Sequence, residues 1–94
     1  MSQEIGWNIA KAHIVAKQEN IELSTEHIEF IYFVREFYTA VGKVPNMRAF
    51  INFVRKNYAA NYANLGSNDF YKLYPAGLSQ LCKIAGLPKP ISCI

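Results

Sequence analysis

Apolar side chains recur every three or four residues along most of the chain, the spacing of one face of an α-helix. The first such stretch covers residues 7 to 19 and includes Trp7 and Ile14. A second begins after Ser24, whose hydroxyl can cap a helix, and stays apolar on more than one side as far as Gly42. We therefore expect the second helix to be central and the most buried.

The downstream half predicts three shorter helices. Pro45 suits the first turn of a third helix, whose apolar stripe continues to Tyr58. A polar stretch over residues 61 to 68 predicts a loop, and a short fourth helix follows over residues 70 to 74. Residues 77 to 85 predict a fifth helix, rich in Leu and Ile.

The last eight residues, 87 to 94, predict an extended arm, because Pro88 and Pro90 hold the backbone out of the helical region. No segment has the alternating pattern of a strand. The predicted fold is an all-α bundle of about five helices, with a helical domain over residues 1–86 and a flexible arm over residues 87–94.

Composition agrees with one small folded domain. The 94 residues are 51% hydrophobic and 14% aromatic, which argues against disorder. No apolar run is long enough to cross a membrane and the first residues lack a secretory pattern, so we expect a cytoplasmic protein. We also expect a monomer. The net charge of +3 permits an acidic partner or nucleic acid but is weak for a dedicated nucleic-acid binder.

The two cysteines carry the chemistry that the sequence offers. Cys93 is the penultimate residue, on an arm that can reach roughly 25 Å. Such a thiol can enter another protein's active site. The C-terminal carboxylate beside Cys93 is expected to raise the pKa of the thiol, and the positive charge of Lys89 partly offsets that effect. Ten residues separate Cys93 from Cys82, so Cys82 can approach it and resolve an adduct by thiol exchange. Cys82 fits a small apolar core residue about equally well.

Other chemistry is weakly indicated. The four soft metal ligands, Cys82, Cys93, His13 and His27, show no close-pair spacing, so neither zinc nor any other cofactor is expected. The two histidines fit surface or capping positions. No nucleophile triad, phosphate loop or carboxylate pair is evident.

The C-terminal residues 82 to 94, containing the run Lys-Ile-Ala-Gly-Leu-Pro-Lys-Pro before the last cysteine, closely resemble the signature of the DsrC/TusE family. Residues 33–38, 45–48 and 70–77 also have counterparts in that family. The resemblance implies a helix-turn-helix core and a mobile arm. It also implies that the penultimate cysteine, Cys93, carries sulfur as a persulfide, making the protein a co-substrate rather than an enzyme.

The family has two branches with different partners. TusE proteins belong to a relay that supplies sulfur for 2-thiouridine in tRNA. DsrC proteins use both cysteines with dissimilatory sulfite reductase and hold sulfur as a trisulfide. Because Cys82 matches the second DsrC cysteine, the DsrC-like role is the favoured interpretation, with the TusE-like role as the alternative. Arg48 matches a family arginine near the arm, and Arg48, Lys83 and Lys89 are candidate partner contacts.

Two further interpretations stay open. The second and third helices could form a DNA-binding helix-turn-helix, with Asn46, Arg48 and Asn52 facing the duplex. A simple Cys82–Cys93 disulfide without carried sulfur would make the protein a redox regulator.

Overall fold

The computed structural model describes residues 8–88, while residues 1–7 and 89–94 lie outside the described part. The described residues form helices and no β-strand, which confirms the all-α fold class. The elements are α1 (Ile9–Gln18), α2 (Thr25–Val41), α3 (Met47–Asn57), α4 (Ala59–Tyr62), α5 (Ser67–Leu73) and α6 (Leu78–Ile84).

The central helix α2 begins and ends as its sequence predicts. The Ser24 hydroxyl accepts from the His27 backbone N–H, and the His27 ring accepts from the Ser24 N–H in return. Gly42 ends the helix with a φ of 88°, a left-handed conformation that other residues rarely adopt. Its burial is less complete than predicted, since Tyr32 is 52% exposed and Val41 is 49% exposed.

Three local predictions need correction. Pro45 lies outside α3, because the side chain of Asn46 caps the helix by accepting from the Ala49 N–H at 2.8 Å. The loop predicted over residues 61–68 overlaps the short helix α4, which extends to Tyr62. Ile14, predicted on the apolar stripe of the first helix, is 58% exposed because α1 faces the core with Ala12 and Ala16.

An aromatic cluster around Phe30 forms the centre of the core. Four neighbouring rings lie with centroids 5.7–5.9 Å from that of Phe30, contributed by Phe33, Phe50, Tyr62 and Phe70. Each such pair contributes roughly 0.5–1.5 kcal/mol beyond its buried area. The cluster joins α2, α3, α4 and α5 into one unit.

Two tyrosines attach α4 and the end of α3 to α2. The hydroxyl of Tyr58 donates to Glu36, and the hydroxyl of Tyr62 donates to Glu29. Burial, followed by the hydrogen bond to Glu29, raises the pKa of Tyr62, so its phenol stays protonated as a donor. These contacts connect residues far apart in sequence, which is why the local pattern does not predict α4.

Helix α6 packs against both α1 and α2. The buried α1 residues, Ala12 and Ala16, are small and therefore allow a close approach between helices. Five of the seven residues of α6 are buried. This helix carries Cys82 and precedes the predicted C-terminal arm, so its packing positions the candidate site.

Candidate functional site

Cys82 lies in the core with no exposed surface. It is a free thiol, and burial raises its pKa to about 12. A thiol with that pKa is almost entirely protonated near neutral pH, and the thiolate is the form that attacks sulfur. The structure thus gives Cys82 the environment of a packing residue, and its predicted resolving role would require α6 to open.

Gly86 and Leu87, where α6 ends and the predicted arm begins, are held by hydrogen bonds to the backbone of α6, and we call them the arm root. Gly86, with a φ of 75°, reverses the chain after Ala85. The Leu87 N–H then donates to the Cys82 carbonyl at 2.9 Å, and the Gly86 N–H to the Lys83 carbonyl at 3.3 Å. This pair of hydrogen bonds is a Schellman motif, which satisfies the last helical carbonyls. Leu87 also packs against the core, so the arm leaves the helix at a defined point.

Arg35 reinforces that root from α2. Its guanidinium Nη1 donates to the carbonyl of Ala85, fifty residues along the chain. A positive charge at this end of α6 also interacts favourably with the negative end of the helix dipole. Arg35 is a site residue that the sequence analysis missed, although its charge within a largely apolar helix was a usable signal.

A groove of about 540 Å³ runs beside the arm root. One side is formed by Arg35, Tyr38 and Thr39 of α2 together with Gly42, and the other side by Gly86, Leu87 and Pro88. The predicted residues Cys93 and Lys89 lie outside the described residues. Their predicted roles therefore stay predictions.

Lys83 forms an ion pair with Glu19. Its Nζ lies 2.9 Å from Oε2 of Glu19, and Gln80 donates to the other oxygen at 3.1 Å. The hydrogen bond from Lys83, and then that from Gln80, hold the pKa of Glu19 below its usual value. Lys83 thus links α6 to the end of α1, although its side chain is 62% exposed and accessible to a partner.

Arg48 lies on the exposed outer side of α3 and is not among the residues that line the groove at the arm root. Cys82, by contrast, is fully buried in α6. The predicted contact of Arg48 with the arm or with a partner stays a prediction.

His27 has a structural role. Its Nδ1 accepts from the Ser24 N–H at 3.1 Å, so its Nε2 carries the proton and donates to the Leu73 carbonyl at 2.9 Å. The ring also meets Tyr74 edge to face, at a centroid distance of 5.1 Å. His13 is exposed on α1. Within residues 8–88, no cluster of three or more His, Cys, Asp or Glu residues could hold a metal ion.

No helix among the described residues is long and apolar enough to cross a membrane.

Comparisons with known proteins assign the family. Residues 1–94 match the family described as "DsrC like protein". The sulfurtransferase TusE of Buchnera aphidicola is 43% identical over 89 residues, covering 94% of this chain and 76% of that protein.

Two solved structures share the fold. The NMR structure of DsrC from Allochromatium vinosum matches with a TM-score of 0.82 and 36% identity, covering 100% of this chain and 83% of that one. The crystal structure of the oxidised γ-subunit of dissimilatory sulfite reductase (DsrC) from Archaeoglobus fulgidus matches with a TM-score of 0.76 and 31% identity, covering 94% and 80%. The chain therefore belongs to the DsrC/TusE family of sulfur-carrier proteins.

Proposed function

We propose that this protein is a TusE-like member of a cytoplasmic sulfur relay, which receives sulfur on Cys93 and passes it on toward 2-thiouridine in tRNA. The protein acts as a co-substrate of its partner enzymes. The observation that carries the proposal is the burial of Cys82, since a TusE-like carrier needs one working thiol and a DsrC-like carrier needs two.

The TusE-like role differs from the interpretation that the sequence favours. The match of Cys82 to the second DsrC cysteine favours the DsrC-like role when the sequence is considered alone. The burial of Cys82 and its raised pKa support the packing explanation of the same residue. The TusE relative, at 43% identity, is also more similar in sequence than the DsrC structures, at 36% and 31%.

The proposed chemistry needs no external oxidant or reductant. The Cys93 thiolate attacks the terminal sulfur of a donor persulfide, forming a new S–S bond while the donor cysteine leaves as a thiolate. An acceptor thiolate then attacks the terminal sulfur on Cys93 in the same way, and the Cys93 thiolate is the leaving group. Each step moves one sulfur atom between thiols, with no net change in the number of thiols or disulfides.

The fixed arm root fits this role. The Schellman hydrogen bonds and the Arg35 contact hold the start of the arm on the body of the protein. A partner that binds the body would therefore find the start of the arm at a fixed position, which lowers the ordering cost of docking.

The test measures intact mass under non-reducing conditions after incubation with a persulfide donor. We expect the wild type and the Cys82→Ala variant to gain one sulfur atom, and the Cys93→Ser variant to gain none. Alanine suits position 82 because it keeps the core apolar. Sulfur on the Cys93→Ser variant would contradict the proposal, and so would a Cys82→Ala variant that folds but cannot be loaded.

The DsrC-like role is the second candidate. The spacing of Cys82 and Cys93 and the TM-score of 0.82 to a DsrC structure favour it. It requires α6 to open so that Cys82 becomes reactive, and it predicts a sulfur-bridged form of the wild type that the Cys82→Ala variant lacks.

A further inference from the structure

The charges of the chain are distributed unevenly. No Asp or Glu occurs between Glu36 and Asp69, whereas Lys43, Arg48, Arg55 and Lys56 all lie in that stretch. The stretch therefore carries a formal charge of about +4, while the whole chain has a net charge of +3. The excess positive charge of the protein thus falls on the segment built around α3.

On α3 the cations share one side of the helix. The buried residues Phe50, Ile51 and Val54 face the core. A helix turns by about 100° per residue, which places four exposed residues on the opposite side, within about 100° of the helix circumference. They are Arg48, Asn52, Arg55 and Lys56, and we name this set the basic face.

The basic face keeps its charge available. Within residues 8–88, the three cations of the basic face form no salt bridge. The ion pair between Lys83 and Glu19 lies elsewhere, between α6 and the end of α1. Arg55 uses its Nε to donate to the Ala63 carbonyl at 3.1 Å, which holds the guanidinium against the surface. From Arg48 to Lys56 the face extends about 12 Å along the helix axis, at a rise of 1.5 Å per residue.

We propose that the basic face binds the phosphate backbone of a structured RNA, the tRNA acceptor of the relay. The identity of the RNA rests on the proposed function. Recognition would come from Arg and Lys contacts to phosphates, with the Asn52 amide donating to phosphate or sugar oxygens. Duplex RNA is recognised largely through such backbone and 2′-hydroxyl contacts.

The composition of the face favours nucleic acid over an acidic protein. Protein interfaces have an apolar core enriched in aromatic residues, whereas nucleic-acid interfaces are more polar and strongly positive. The exposed large hydrophobic residues among the described residues, Ile14, Tyr32, Val41 and Tyr71, all lie outside α3. A surface of cations and an amide, without an exposed large apolar side chain, fits a phosphate backbone.

The test titrates a fluorescently labelled tRNA transcript with the full-length Cys93→Ser protein, which cannot hold sulfur at position 93. Anisotropy is recorded from about 50 to 200 mM KCl, because phosphate contacts make affinity fall with salt. The test variant is Arg48→Gln/Lys56→Gln. The matched control is Lys11→Gln/Lys17→Gln, which removes the same charge from exposed positions on α1.

We expect the α3 double variant to bind at least about tenfold more weakly and to reduce the slope of log affinity against log salt by about two. The α1 double variant should change affinity less than about threefold. Circular dichroism and urea midpoints of both variants report whether the fold is intact. Equal weakening by both variants would overturn the proposal, because it would mean that only net charge matters.

Two other outcomes would also overturn it. Tighter binding to a DNA duplex of matched length than to tRNA would support the helix-turn-helix DNA interpretation instead. If wild type binds no tRNA at low salt but the α3 variant impairs sulfur transfer to a protein acceptor, the face is a protein interface. Sulfur loading of wild type is measured separately, so failure of the carrier function and failure of RNA binding are distinguishable.

Discussion

Helices α3 and α6 differ in how much of their surface they bury. Helix α3 buries one side and exposes Arg48, Asn52, Arg55 and Lys56 on the other. Helix α6 buries five of its seven residues, and Gln80 and Cys82 are among them. A helix packed on one side leaves a surface for partners, whereas a helix buried on most sides places even its reactive residue out of reach. The functional meaning of a side chain here depends on which kind of helix holds it.

The largest expected effect is on thiol reactivity, since the burial of Cys82 in α6 predicts that this thiol is inert in the folded protein. At pH 8 a thiol with a pKa of about 12 is ionised about a thousandfold less than an ordinary cysteine. We expect iodoacetamide to label the folded Cys93→Ser variant at least about a thousandfold more slowly than the same protein in denaturant. The Cys82→Ala variant, labelled at Cys93, supplies the rate for the arm thiol. Comparable rates for the two folded variants would show that α6 opens readily.

The next effect concerns stability. Leu81 of α6 is fully buried, so Leu81→Ala should lower the free energy of unfolding by about 2–5 kcal/mol. Asn52→Ala, on the exposed side of α3, should change it by less than about 0.5 kcal/mol. Urea unfolding followed by circular dichroism measures both. A small loss for Leu81→Ala would mean that α6 is loosely packed and would weaken the case that Cys82 is buried.

A pH dependence follows from the same burial. The folded protein keeps the Cys82 proton to about pH 12, while the unfolded chain releases it near pH 8.5. The contribution of Cys82 to stability is therefore complete below about pH 8.5 and is lost as pH rises toward 12, at up to about 1.4 kcal/mol per pH unit. Burial also raises the pKa of Tyr74, so this effect is isolated as the difference between Cys93→Ser and Cys82→Ala/Cys93→Ser. Parallel pH profiles for these two variants would contradict a buried, protonated Cys82.

The smallest effect should come from the basic face. In the Arg48→Gln/Lys56→Gln variant, each substitution should change the free energy of unfolding by less than about 0.5 kcal/mol, because exposed residues without buried contacts contribute little to stability. Its effect should appear in RNA binding alone. A large loss of stability would mean that these side chains have structural contacts, and α3 would then resemble α6 more than the comparison allows.

Much of this architecture could be predicted from the sequence because it rests on local signals. Apolar periodicity predicted α2, α3 and α6, and Ser24 and Gly42 marked the ends of α2 within one residue. Helix α4 was missed because Tyr58 and Tyr62 hold it through Glu36 and Glu29, which are 22 and 33 residues away.

The candidate site was less predictable for the same reason. Cys93 and the arm signature are contiguous in sequence, so the likeness to the family was evident. The contact of Arg35 with the Ala85 carbonyl depends on how α2 and α6 pack, and no local pattern encodes it. The burial of Cys82 likewise depends on the packing of α6, which contacts α1 and α2, two helices distant in sequence.

The most direct test of the central claim, that Cys93 alone carries sulfur while Cys82 belongs to the core, is the form of the loaded wild-type protein. Native mass spectrometry would follow the protein after addition of a persulfide donor, with and without a denaturing step before alkylation. We predict one added sulfur atom on a free persulfide, with Cys82 alkylated only after denaturation. A species in which the added sulfur bridges both cysteines, formed by the folded protein and absent from Cys82→Ala, would contradict the account and favour the DsrC-like role.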